Sequence, residues 1–118
     1  MLFRSGAEPA SAERMAIEAA NQKGVLFVAA AGNDGHDNGA QPYYPASYPL
    51  DNIIGVASVN QKNELLSSSN FGGPVHIAAP GLGVLSTVPG GKFATMSGTS
   101  QATAFVTGAA AQIGRAHV

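Results

Sequence analysis

Gly24-Val25-Leu26-Phe27-Val28-Ala29-Ala30-Ala31-Gly32-Asn33-Asp34-Gly35 runs from one glycine through an unbroken apolar stretch into a cluster of turn formers. The apolar run is too short for a buried helix and shows no alternation, which predicts a central strand covered on both faces within a parallel sheet. Upstream, Ala10, Met15, Ala16, Ala19 and Ala20 recur at helical spacing, with Glu13 early, Lys23 late and Gly24 as a stop, predicting a helix over 9–22. Downstream, residues 32–39 are dense in Gly, Asn and Asp, and 42–49 are rich in Pro and Tyr; together they predict a long loop at the strand's C-terminal end. Further strands are expected at 53–59, 75–78 and 84–88. A last helix is expected over 99–112, where Ala102, Ala104, Gly108, Ala109, Ala110 and Ala111 are small enough to let it pass through the middle of a core. The order of elements predicts an α/β fold, mainly a parallel sheet flanked by helices, with function at the carboxyl ends of the strands.

The chain has 118 residues, room for one domain or a piece of one. Charged residues make up only 11%, which suits a chain with much of its surface covered by something else. The formal net charge is −1 and the Lys and Arg are scattered, so no basic stripe is offered to nucleic acid or an anionic membrane. Cysteine is absent, excluding disulfides and thiolate metal sites. No stretch is long and apolar enough to cross a bilayer, and no leader-like N-terminus is visible. Oligomeric state is not legible.

Two motifs fall where the fold places function. Ser97-Gly98-Thr99-Ser100-Gln101-Ala102 puts Ser100 at a helix N-terminus, where unpartnered N–H groups and the helix dipole stabilise developing negative charge. By itself such a cluster is more often a set of competing helix caps. Ala29-Ala30-Ala31-Gly32-Asn33-Asp34-Gly35 puts Asn33 at a strand tip, with an NH₂ able to donate to an oxyanion. By itself Asn-Asp-Gly is an ordinary turn.

Taken together and in this order, the motifs resemble the subtilisin-like (subtilase) family of serine peptidases. The resemblance extends over Tyr44-Pro45-Ala46-Ser47-Tyr48-Pro49, the strand at 53–59, Ser67-Ser68-Ser69-Asn70-Phe71-Gly72, Ala78-Ala79-Pro80-Gly81 and 96–111. It implies a partial subtilisin-like fold, truncated at both ends, whose intact parent hydrolyses peptide bonds in polypeptide substrates through an acyl-enzyme on Ser100. By resemblance Ser100 is the nucleophile, Asn33 and the Ser100 N–H form the oxyanion hole, and Thr99 supports the oxyanion indirectly. Ala30, Ala31 and Gly32 line the pocket for the P1 side chain, and Tyr43 falls near its base. Secretion is implied in the same way. No cofactor is implied for the chemistry; structural calcium is compatible with the family, with Asp34, Asp37 and Asp51 as oxygen donors, although such loops are common without it.

The chain departs from the family at three places. Thr103-Ala104-Phe105 stands where Ser/Thr-Pro-His is usual, a change that leaves the helix apolar. The family's triad runs Asp, His, Ser, yet no histidine precedes Asn33, and His36, His76 and His117 lack the family's His-Gly-Thr context. The chain by itself is therefore expected to be inactive, since an unactivated serine is a weak nucleophile. Ile113-Gly114-Arg115-Ala116-His117-Val118 is similar to translated sequencing-adapter DNA, so the peptidase part is read over 1–112 and 113–118 is set aside. Met1 to Gly6 is read as the edge of a preceding substrate-binding strand. A non-catalytic pseudoprotease on the same fold stays open as an alternative. A nucleotide-binding domain does not, because Gly32-Asn33-Asp34-Gly35 fits neither phosphate-loop pattern.

Overall fold

A computed structural model describes Gly6 and residues 8–116. Helix α1, Ser11–Gln22, has no side-chain cap of its own; instead the Tyr48 hydroxyl accepts from the Ala10 N–H at 2.9 Å and donates to the Ala10 carbonyl at 3.1 Å. The helix ends as its sequence predicts. Gly24 takes φ +72°, its N–H donates to the Asn21 carbonyl, and the Val25 N–H donates to the Ala20 carbonyl. This is a Schellman closure, whose left-handed position glycine occupies without a steric cost. Ile17 carries the apolar face of α1 into a cluster with Ala29, Ala46, Tyr48 and Ile53.

Strands β1 (Phe27–Ala30), β2 (Ile53–Val59) and β3 (Ile77–Pro80) form a parallel sheet in that order, with Ala29 opposite Gly55 and Ala57 opposite Ala78. Among the described residues β2 is therefore the middle strand and β1 an edge. The expected strand from Val25 is also shorter, because the Val25 N–H is taken by the end of α1 and Val25 and Leu26 are exposed. Successive strand residues point to opposite faces. Phe27, Ala29 and Ile53 face α1, while Val28, Ile54 and Val56 face helix α2, Thr99–Ala116, through Ala102 and Val106. The result is a sheet between two helices. Helix α2 lies across one face and does not pass through a core, since Ala104, Phe105, Gly108 and Ala109 are exposed. It continues beyond the expected end at Gln112 without a break.

Two further differences concern the third and later strands. β3 starts two residues later than expected, because Val75 closes a turn onto Gly72 and the His76 N–H donates to the Gly55 carbonyl. Strands β4 (Val84–Val88) and β5 (Lys92–Met96) pair as an antiparallel hairpin, and β5 was not anticipated. At the neck of this hairpin the Gly83 N–H donates to Ser97 Oγ and the Gly98 N–H to the Gly81 carbonyl, each at 2.8 Å. Gly6 bridges Tyr44 in antiparallel fashion, whereas residues 1–5 of the expected preceding strand lie outside the described residues.

Candidate functional site

The tip of β1 and the start of α2 meet at the carboxyl end of the sheet. Asn33 leaves β1 after Gly32, and its side-chain Oδ1 accepts two hydrogen bonds from one residue: the Thr99 N–H at 2.9 Å and the Thr99 hydroxyl at 3.1 Å. Both partners are donors at this point, so the oxygen end of the carboxamide faces Thr99 and the Nδ2 end faces away from it. The Thr99 hydroxyl in turn accepts from the Gly32 N–H at 3.2 Å, which ties the strand tip to the helix start. Thr99 and Gly32 are buried, whereas Asn33 and Ser100 are exposed. Gly98 makes the approach feasible. Its φ is +151°, and a Cβ there would come within 3.3 Å of Asn33 Oδ1.

Ser100 is the second residue of α2, directly after Thr99. The first helical bond beside it runs from the Ala102 N–H to the Gly98 carbonyl, so the Ser100 N–H precedes the intrahelical ladder. Among the described residues neither that N–H nor the Ser100 hydroxyl has a hydrogen-bond partner. An exposed serine, its free main-chain N–H and an exposed asparagine whose NH₂ faces away from Thr99 thus lie at one helix N-terminus. Such a set can attack a carbonyl carbon and stabilise the resulting oxyanion, provided a base accepts the hydroxyl proton. Neither described histidine bonds to Ser100: His76 Nδ1 accepts from the Gly55 N–H at 2.9 Å, and His36 sits in the loop after Asn33. His117 lies outside the described residues.

The residues expected around the P1 side chain are also adjacent. Ala31 is fully buried and Ala30 half-buried, while the Tyr43 ring rests against Gly32 so closely that a Cβ on Gly32 would meet it at 3.0 Å. The Tyr43 N–H donates to Ser47 Oγ at 3.0 Å, and the Ser47 N–H returns to the Tyr43 carbonyl at 2.8 Å. Asp34, Asp37 and Asp51 are not gathered: no group of three or more His, Asp or Glu side chains among the described residues could hold a metal. The Asp37 carboxylate accepts instead from the Gly39 N–H at 2.8 Å. An open apolar hollow of about 1000 Å³ lies elsewhere, bordered by Leu50, Ile54, Ile77, Val106 and Ile113.

Two residues that sequence reasoning passed over as turn formers shape the loop carrying Asn33. Asn70 Oδ1 accepts from the Asp34 N–H at 2.9 Å and the His36 N–H at 3.1 Å, and the Asn70 N–H donates to the Gly32 carbonyl at 2.9 Å. Asn70 Nδ2 donates to Asn38 Oδ1 at 3.0 Å, and Asn38 Nδ2 donates to the Ala31 carbonyl at 2.9 Å. Both side chains are 1% exposed, and a buried carboxamide in a surface loop is the one signal that marks them.

The sequence pattern of the subtilase family matches residues 3–117. Among curated proteins, Subtilisin BL of Lederbergia lenta is 41% identical over 105 residues, covering 89% of this chain and 37% of that protein. A thermophilic serine proteinase of Bacillus sp. (strain AK1) is 45% identical over 96 residues, covering 81% of this chain and 23% of that protein. The chain thus spans well under half the length of these relatives. The structure of the prenylagaramide maturation protease PagA superposes with a TM-score of 0.80 at 33% identity, covering 94% of this chain and 41% of that one. The self-cleaved protease domain of PatA gives a TM-score of 0.80 at 36% identity, over 90% of this chain and 39% of that one.

Proposed function

Since the chain belongs to the subtilase family, we propose that it carries the acylation half of a serine endopeptidase site. The observation that bears most on this reading is the Asn33 carboxamide, held by two donors of Thr99, the neighbour of Ser100, so that its NH₂ faces away from Thr99. In the reaction Ser100 Oγ bonds to the scissile carbonyl carbon while its proton passes to a base. The carbonyl oxygen takes the negative charge and is received by Asn33 Nδ2 and the Ser100 N–H. Collapse of that intermediate expels the amine, which leaves with the proton, and water then hydrolyses the ester in the same geometry. The base and its orienting carboxylate are assigned to the His and Asp that the family carries before this segment. Ala30, Ala31 and Gly32 form the wall along the P1 side chain, with Tyr43 at its base. The partner is a polypeptide, no cofactor enters the chemistry, and secretion is the expected location.

Full-length protein treated with a fluorophosphonate probe tests the reading. Ser100 should be labelled and Ser100→Ala should lose both label and peptidase turnover. The 118-residue chain alone should show neither. Turnover that survives Ser100→Ala would refute the assignment, and a full-length protein with no labelling at all would favour the pseudoprotease.

A further inference from the structure

Asn33 is exposed, and its side chain is held from one side only, by Thr99. An exposed amide on a loop can act as an oxyanion donor only if its main chain is fixed to within about 0.5 Å. The main chain around it is tied to Thr99 through the Gly32 N–H, to Ser68 through the Gly35 N–H, and on both immediate sides of Asn33 to Asn70. Asn70 brackets Asn33, taking the carbonyl of the residue before it with its main-chain N–H and the N–H of the residue after it with its side-chain oxygen.

The direction of the Asn70 amide is dictated from behind. The Ala31 carbonyl can only accept, so Asn38 turns Nδ2 towards it and Oδ1 towards Asn70. Asn70 must then turn Nδ2 to Asn38 and Oδ1 to the loop, where the Asp34 and His36 N–H groups wait. Reversing either amide would place oxygen against oxygen or NH₂ against N–H at two residues that are themselves buried. Gly32 leaves the room that this needs: a Cβ there would stand 2.5 Å from Asn70 Nδ2. Packing alone asks for no such polarity, and an apolar residue of similar size would fill the space.

We propose that Asn70, oriented by Asn38, is a positioning residue for the Asn33 oxyanion donor. The proposal rests on Asn33 acting as that donor. Its signature is non-additivity, because a residue that works through Asn33 has nothing to lose once the Asn33 carboxamide is gone.

The test is a double-mutant cycle in the full-length protein with a chromogenic peptide, together with amide exchange in the unsubstituted protein. Asn70→Ala should lower kcat about tenfold with KM within about twofold, the scale of a fraction of an ångström of misplacement. In an Asn33→Ala background the same change should cost less than about twofold. Asn38→Ser, a milder change that leaves Asn70 in place, should give a smaller loss with the same non-additivity. The Asp34 and His36 N–H groups should exchange as slowly as those of β2 in the unsubstituted protein, a readout that needs no variant to fold. Exchange at open-loop rates, equal kcat losses in both backgrounds, or no loss with Asn70→Ala would overturn the proposal. An unchanged kcat in Asn33→Ala alone would overturn the reading of the site itself, and this proposal with it.

Discussion

Thr99→Val removes one oxygen atom and leaves the shape of a fully buried side chain nearly unchanged. That oxygen makes two bonds, donating to Asn33 Oδ1 at 3.1 Å and accepting from the Gly32 N–H at 3.2 Å. The two losses have different consequences. The Gly32 N–H is left buried without an acceptor, which costs about 1–3 kcal/mol of folding stability. Asn33 keeps the Thr99 N–H at 2.9 Å, so it loses one of two restraints and none of its own donor capacity. The net worth of one hydrogen bond is about 1 kcal/mol, which corresponds to roughly a fivefold fall in kcat if the bond acts fully on the transition state. Deleting the donor outright is a larger change: in subtilisin, the measured case from which the figure is borrowed, it costs about 10²–10³ in kcat. Steady-state kinetics of full-length Thr99→Val, Thr99→Ser and Asn33→Ala, with thermal unfolding in parallel, separates the effects. Thr99→Ser keeps the hydroxyl and should stay within about twofold of the parent, since only a methyl is lost and both bonds remain. A kcat for Thr99→Val as low as that of Asn33→Ala, or one equal to the parent's, would refute this division of labour.

Gly32→Ala should destabilise the protein by about 1–3 kcal/mol, because φ is +108° and the new methyl meets both Asn70 and Tyr43; thermal unfolding measures it. Tyr43→Gly should raise kcat/KM for large aromatic P1 residues over small ones by about tenfold or more in a peptide series. Burial pushes the Tyr48 phenol above its ordinary value, so the fold favours the protonated ring. That contribution is complete below the ordinary value near 10 and is lost as pH rises through the raised one. Tyr48→Phe should flatten the alkaline fall in stability and cost about 1 kcal/mol at neutral pH, read from denaturant unfolding at several pH values. The chain produced alone should aggregate, because Leu85 at 67%, Phe93 at 70% and Phe105 at 51% exposure leave apolar side chains in water; a monomeric product on sizing would contradict this.

The parts of the fold that were legible are those whose local chemistry agrees with their surroundings. Strand β2 has the bounds expected of it, since Ile53, Val56 and Ala57 are apolar and buried. Gly24 stops α1 for the reason its identity suggests. Val25 and Leu26 misled because hydrophobicity does not disclose that the end of α1 has claimed the Val25 N–H. Strand β5 was overlooked because Lys92-Phe93-Ala94-Thr95-Met96 has little burial to advertise, although Pro89-Gly90-Gly91 before it was a usable turn signal. At the site, Asn33, Thr99 and Ser100 could be singled out because each stands in a distinctive motif. Asn38 and Asn70 could not, because their side-chain bonds cross 7 to 36 positions of sequence and an asparagine in a loop looks alike whether it is solvated or buried.

The two bonds at the neck of the β4–β5 hairpin separate the addresses of two parts of the chain. Gly81 and Gly98 are joined directly, so the path to Ser100 is set at the neck and not by the excursion between. Among the described residues, nothing from Val84 to Met96 bonds to Asn33, Thr99 or Ser100. Lengthening a loop adds only slowly to its closure entropy. The hairpin tip at Pro89-Gly90-Gly91 is thus a place where the gene can gain or lose codons while Thr99 and Ser100 keep their coordinates, a graft site mechanically insulated from the start of α2.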